Sequence, residues 1–113
     1  MTIHSLRHGS ALELPVETGS AHCCVTSPPY WQLRKYAGQG DQGIGNEATV
    51  EEYLEHLLAC FRECKRVLRD DGVLWVNIGD KRDKGLLRIP DRFAEVMVND
   101  GWTFQDFVVW HKR

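Results

Sequence analysis

Apolar positions along the chain switch between two periods. Ala21 to Thr26 (AHCCVT) is a short run of small and apolar residues that stops at Ser27-Pro28-Pro29. Two prolines cannot continue a ladder, so a strand ends there. From Thr49 the period lengthens. Leu54, Leu57, Leu58, Phe61, Lys65 and Leu68 fall on one face at helical spacing, with Cys64 at its edge. The stem of Lys65 can snorkel along that face. Thr49 followed by Glu52 is a capping box, and Gly72 after Asp70-Asp71 is a helix stop. Val73 to Ile78 (VLWVNI) is a near-continuous apolar run. That pattern suits a strand buried on both faces, as in parallel sheets. Pro90 suits the first position of a second helix, with Phe93, Ala94, Met97 and Val98 as its apolar face and Gly101 as its end. Thr103 to Trp110 (TFQDFVVW) reads as a third strand.

The order strand, helix, strand, helix, strand implies an α/β fold with right-handed crossovers and a parallel sheet. In open parallel sheets, ligands sit beyond the carboxyl ends of the strands. Ser27-Pro28-Pro29-Tyr30 and Gly79-Asp80 both lie just past such ends, which predicts that they line one cleft. Ala37 to Glu47 is rich in Gly, Gln and Asp and reads as a loop.

Composition narrows the class. A chain of 113 residues is one domain at most. With 42% hydrophobic and 27% charged residues it is ordinary globular rather than disordered or fibrous. The net charge of −2 argues against a polybasic nucleic-acid partner but leaves room for a local patch. Phe61 to Arg92 carries nine basic and six acidic residues, so the middle is mildly basic between acidic flanks. No apolar run is long enough to span a membrane. Met1 to Ser10 has no apolar core of a secretory signal, so Cys23, Cys24, Cys60 and Cys64 are expected as reduced thiols in a cytoplasmic setting.

Thr26 to Trp31 (TSPPYW) is the sharpest chemical feature. Two consecutive prolines preset a stiff turn that can aim backbone carbonyls at one point. A hydroxyl and a carbonyl together can accept both hydrogens of an amino group, and the adjacent aromatic ring can stack on a flat ligand. A planar base with an exocyclic amine fits that arrangement. A plain strand-ending turn with core aromatics also fits it. His56, Cys60 and Cys64 repeat every fourth residue, but the spacing lacks a C-x-x-C element, so no metal site is expected. In that reading Cys64 lies at the core edge and its two neighbours are exposed. Gly38, Gly40 and Gly43 match G-x-G-x-x-G without the strand that a dinucleotide fingerprint needs immediately before it. Trp75 and Trp102 read as core. Lys81, Arg82, Lys84 and Arg88 lie on a loop at the cleft edge, where they could meet phosphates or only solvent; Lys112, past the last strand, could do likewise.

TSPPYW after a short strand resembles motif IV of the N(4)-cytosine and N(6)-adenine DNA methyltransferases. Further segments agree in order. Arg66-Val67-Leu68 and Asp71-Gly72-Val73-Leu74-Trp75-Val76-Asn77-Ile78-Gly79-Asp80 are similar to the family's "RVL..DG.LW.N.GD". Leu86-Leu87-Arg88-Ile89-Pro90, Arg92-Phe93-Ala94 and Asp100-Gly101-Trp102 resemble its "L..IP.R.A....DGW". Val109-Trp110-His111-Lys112 resembles its "IIW.KP" strand. The match runs from about Leu6 to Lys112. The resemblance implies part of a Rossmann-like methyltransferase sheet, S-adenosylmethionine as methyl donor, and double-stranded DNA as substrate. It also implies a restriction-modification setting. Ser27, Pro28, Pro29 and Tyr30 would be the catalytic turn. Ser27 and the Pro28 carbonyl would accept hydrogen bonds from the amine, and Tyr30 would stack on a base flipped out of the duplex. Thr26, Ser27 and Ser10 would touch the edge of the methyl donor, and Trp31, Lys81, Arg82 and Lys112 would contact DNA. Ser-Pro-Pro-Tyr followed by Trp goes with the cytosine enzymes; Asp-Pro-Pro-Tyr goes more with adenine. Cys23 and Cys24 precede the prolines, so they do not match the cysteine nucleophile of carbon-5 cytosine enzymes, and a structural role is expected for both.

The chain departs from the family pattern in four places, one of them the short stretch between Asp80 and Leu86, where relatives often carry an insertion. The Phe-x-Gly-x-Gly donor loop and the target-recognition segment are absent, and the family's early Gly-Asp pair reads Gly9-Ser10. Residues 1–113 are therefore expected to be a single partial methyltransferase domain, incomplete on its C-terminal side. It would be active with a complementary chain that supplies the loop, or else an inactive remnant that binds only DNA or a partner. A sheet ending after Trp110 leaves an open edge, so the isolated chain is expected to self-associate or melt poorly. A monodisperse, cooperatively melting monomer in sedimentation and calorimetry would contradict that.

Overall fold

The computed structural model describes residues 1–33 and 43–113. Its elements are strand β1 (Ala21–Thr26), helix α1 (Val50–Val67), strand β2 (Leu68–Val76) and helix α2 (Ile89–Asn99). The bounds of β1 are those the sequence predicts, because the Pro-Pro pair is a hard stop. β1 and β2 form a two-stranded parallel sheet in which Cys24 faces Leu74, Val25 faces Trp75 and Thr26 faces Val76. The Asn77 amide bonds to the Thr26 carbonyl at 2.9 Å, one step past the last paired residues.

α1 begins as expected. The Thr49 hydroxyl accepts the Glu52 N–H at 3.2 Å, and Glu51 and Glu52 occupy the first turn, where the helix dipole favours acids. Its end differs from the sequence expectation. Leu68 is already extended, at φ −73° and ψ 143°, and the strand starts there rather than at Val73. Gly72 is therefore no helix stop. It lies inside β2 beside a register shift, where Ala21 pairs with Leu68 and Cys23 with Val73. A Cβ at Gly72 would approach the Arg69 carbonyl oxygen and Leu68 Cδ2 at 2.9 Å each, so the close backbone approach in the bulge is what requires glycine.

The core lies between α1, α2 and one face of the sheet. Tyr53, Leu54, Leu57 and Phe61 from α1 meet Ile89, Phe93 and Met97 from α2. The Phe61 and Phe93 rings stand 5.3 Å apart at a tilt of 59°. Leu74, Val76 and Ile78 pack on this cluster. Cys60 is buried as well, which corrects its reading as an exposed neighbour of Cys64. Burial raises the Cys60 thiol and pushes that of Cys64 up to about 11, so both sulfurs behave as small apolar groups. α2 starts one residue before Pro90, and Gly101 follows its end at φ 104°, as the sequence implies. Val98, expected on its apolar face, is 45% exposed.

Two expectations fail together. β2 is not buried on both faces: Val73 and Trp75 are 48% and 52% exposed, and Val25 on β1 is 79% exposed. Trp75 is thus no core residue, whereas Trp102 is half-buried against the core. Thr103 to Trp110 forms no strand, and its apolar side chains Phe104, Phe107, Val108, Val109 and Trp110 are all exposed. A strand requires a hydrogen-bonded neighbour, and an apolar sheet face requires a second layer. Neither is present among the described residues. Exposed apolar side chains on the sheet face and in this segment are the features on which the expected self-association would rest.

The segment before β1 is tied to the last turn of α1. The Arg66 guanidinium makes paired bonds to Glu63 at 2.7 and 2.9 Å and also donates to the carbonyls of Leu14 and Val16 and to the Thr18 hydroxyl. Glu63 Oε1 accepts the Leu14 N–H at 2.8 Å. The Arg66 hydrogen bond holds the Glu63 carboxyl below its ordinary range. Arg66 is therefore the anchor of residues 14–18.

Candidate functional site

Thr26 ends β1, and the turn Ser27-Pro28-Pro29-Tyr30 leaves from its carboxyl end. Thr26 and Ser27 are exposed there, while Pro28, Pro29 and Tyr30 are half-buried. The carboxyl end of the neighbouring β2 leads into Asn77-Ile78-Gly79-Asp80. The two ends converge as the sequence predicts. A Cβ at Gly79 would lie 2.5 Å from Tyr30 Cε2 and 2.6 Å from Cδ2. The Tyr30 ring therefore rests on the Gly79 backbone, in space that any side chain would take. Its hydroxyl reaches Asn77 Oδ1 at 3.5 Å, at the limit of a hydrogen bond.

A second set of contacts holds the turn from behind. The Tyr53 hydroxyl, in the first turn of α1, donates to the Pro29 carbonyl at 2.6 Å. Tyr53 is fully buried, and burial, reinforced by the nearby Glu47 carboxylate, raises its phenol far above the ordinary range. It is a permanent hydrogen-bond donor. Trp31 is pinned by its indole N–H, which donates to the Glu47 carbonyl at 2.9 Å. The Glu47 carboxylate is itself buried; one oxygen accepts the Gly45 N–H at 2.9 Å and the other lies 2.9 Å from His56 Nδ1. Gly45 has φ 105°, and a Cβ there would press on the Tyr30 carbonyl at 3.1 Å, so this position demands glycine.

Asp80 and Lys81 complete the rim. One Asp80 oxygen accepts the N–H groups of Lys81 at 2.8 Å and Ile89 at 3.1 Å, which places its charge at the start of α2. That start needs it, since Arg88 at the N-cap sits at φ 60° and offers no side-chain cap. Lys81 Nζ lies 4.8 Å from the centre of the Trp31 ring and donates to Gln32 Oε1 at 2.7 Å. Two of the four expected DNA contacts, Trp31 and Lys81, therefore pack on each other beside the turn. Arg82 is exposed on the loop that follows, and Lys112 is exposed in the bare C-terminal segment. Neither is brought to the turn by a described hydrogen bond. Ser10 closes its own turn, accepting the Leu12 N–H at 3.1 Å, in the segment clamped at the opposite end of α1, and makes no described bond to the site.

Gly38 and Gly40 of the glycine pattern lie outside the described residues; Gly43 opens the bend that leads to Gly45. Tyr53 and Glu47 carry no linear motif. Tyr53 falls on the apolar face of α1 one position before Leu54, which is the one signal that could have found it.

Thr26 and Ser27, expected at the edge of a methyl donor, are both exposed at these strand ends. Two surface hollows among the described residues lie away from the turn. One is lined by Gly19, Arg69, Asp70 and Asp71, the other by the segment Leu12–Glu17 with Arg7, Glu63 and Arg66. Cys24, two residues before the end of β1, has its thiol raised by burial. No helix among the described residues is long and apolar enough to cross a membrane.

Residues 21–113 match the family model described as DNA methylase. The type II methyltransferase M.MwoI of Methanothermobacter wolfeii is 44% identical over 86% of this chain and 15% of its own length. M.Cfr9I of Citrobacter freundii is 36% identical over 96% of this chain and 46% of its own, and M.SfiI of Streptomyces fimbriatus 40% identical over 88% and 27%. The chain thus spans less than half the length of these relatives. No solved structure matches it.

Proposed function

The chain belongs to the DNA methylase family, and on that premise we propose that it carries the base-binding turn of a site-specific DNA methyltransferase acting on the N(4) amine of cytosine. One observation carries the reading. A rigid turn with an exposed hydroxyl and a half-buried aromatic ring sits at the converging carboxyl ends of two parallel strands. That is where open α/β sheets bind ligands.

The proposed roles follow from the geometry. The Pro29 carbonyl is engaged by Tyr53. The Ser27 hydroxyl and the Pro28 carbonyl are left as the acceptors for the two amine hydrogens. Accepting them localises the lone pair on the amine nitrogen and stabilises the positive charge that builds there as it is alkylated. Tyr30 stacks on the base, a contact worth ~1–3 kcal/mol, against a flipping cost of a few kcal/mol. No enzyme nucleophile and no covalent intermediate is needed. S-adenosylmethionine is the donor the family implies; in this reading the Pro-Pro turn supplies the base side of the site, and a donor loop from a further or complementary segment completes it. Trp31 and Lys81 form a cationic, aromatic rim for the DNA backbone, with Arg82 and Lys112 as outlying phosphate contacts. Ser27 in place of Asp is the ground for cytosine over adenine.

The test is direct. The open reading frame that contains residues 1–113 is expressed in a bacterial host without DNA methylation, and its DNA is digested to nucleosides for mass spectrometry. N(4)-methyldeoxycytidine is expected. N(6)-methyldeoxyadenosine would replace cytosine with adenine, and the absence of both modified nucleosides, also when the neighbouring reading frames are co-expressed, would contradict the reading.

A further inference from the structure

We propose that Tyr53 is a positioning residue that sets the aim of the Pro-Pro turn, through its hydroxyl bond to the Pro29 carbonyl. The inference deepens the proposed function and rests on it.

The turn is stiff at Pro28 and Pro29, whose rings fix φ, but the peptide that joins Pro29 to Tyr30 is free to rotate about the Pro29 ψ. That rotation swings the Pro29 carbonyl and the start of Tyr30 together. The Tyr53 hydroxyl holds this carbonyl at 2.6 Å from a fully buried ring, locked among Leu54, Leu57 and Ile89 in the core. The donor is kept protonated, so the hold does not relax with pH in the working range. The far side is held as well. The Trp31 indole and the Gln32 side chain both donate to the Glu47 carbonyl, at 2.9 and 3.3 Å, and the buried Glu47 carboxylate fixes the Gly45 amide. Tyr30 thus hangs between two anchored points and lies against Gly79. Loss of the Tyr53 hydroxyl frees one of them. The other consequence concerns acceptors. Without its donor the Pro29 carbonyl becomes a rival to the Pro28 carbonyl for the amine, and the amine can bind in a second, unproductive orientation. Tyr53 touches no substrate in this scheme and acts only through the turn.

Tyr53→Phe removes one oxygen and keeps the packed ring. In the active enzyme the kcat for methyl transfer is expected to fall at least tenfold, with KM for S-adenosylmethionine changed less than twofold, at a temperature where both proteins are fully folded by calorimetry. A residue with only a structural role would lower the melting temperature and leave kcat unchanged; that result overturns the proposal. A second readout does not depend on activity. In proton–nitrogen spectra of wild type and variant, the Tyr30, Trp31 and Gly79 amides are expected to shift or broaden while those of α2 stay fixed. Unmoved turn amides would overturn the inference even if methyl transfer proves to lie elsewhere. A wild type without methyl transfer but with moving turn amides would keep Tyr53 as the anchor and remove the methyltransferase reading.

Discussion

Ser27→Ala is expected to lower methyl transfer by about 100-fold or more while leaving the fold intact, as does loss of one preorganised hydrogen-bonding group at a developing charge. The side chain is exposed at the end of β1 and makes no described bond within the protein, so its removal leaves no buried group unpaired. The loss belongs in kcat, because the hydroxyl matters most when positive charge has built up on the amine nitrogen. Single-turnover kinetics with saturating DNA checks this. An unchanged rate would remove Ser27 from the site. Ser27→Thr, which keeps the hydroxyl, is expected to retain more activity than alanine.

The second large effect comes from a residue with no functional group. Gly79→Ala places a methyl group 2.5–2.6 Å from two Tyr30 ring carbons, closer than any real contact, so the ring must leave its seat. The Gly79 backbone would accept a side chain; the ring would not. The base then loses its stacking partner, a contact worth ~1–3 kcal/mol, which corresponds to roughly 5- to 150-fold in binding. Tyr30→Ala is expected to lose a similar amount by deleting the ring. The double variant separates displacement from a fold defect. If Gly79 acts only through Tyr30, adding Gly79→Ala to Tyr30→Ala costs little more. Additive losses would show that Gly79 supports something else.

The parts of the fold that were legible in the sequence are those set locally. Pro28-Pro29 stops β1 whatever surrounds it, and the Thr49 hydroxyl caps α1 through a bond three residues long. Convergence of the two strand ends also followed from alternation of elements, since parallel pairing brings carboxyl ends together. The parts that were not legible depend on neighbours. Thr103 to Trp110 has the residues of a strand and no strand to pair with among the described residues. Trp75 has the hydrophobicity of a core residue and only one covered face of sheet around it. Gly72 looks like a helix end in sequence because both a helix stop and a strand bulge call for a small residue. Only the backbone shows which of the two is present.

At the candidate site, the turn itself was legible in the sequence and the residues that hold it from behind were not. Ser27 to Trp31 form a contiguous string and carry a recognisable pattern. Tyr53 reaches Pro29 across 24 positions and Lys81 reaches Gln32 across 49, separations at which no pattern advertises a contact. Lys81 reads in the sequence as a loop residue that meets phosphate or only solvent; its packing over Trp31 ties that loop to the turn.

The central claim is that a flipped base enters at the Pro-Pro turn and rests on Tyr30. Photo-cross-linking tests it most directly. Once the modified base has been located by sequencing, 5-iodocytosine is placed at that position in a duplex, irradiated on the enzyme, and the attached peptide is read by mass spectrometry. Attachment within Ser27 to Trp31, at the Tyr30 ring, is the predicted result. Attachment at a residue outside this turn, with Tyr30 unmodified, would contradict the account.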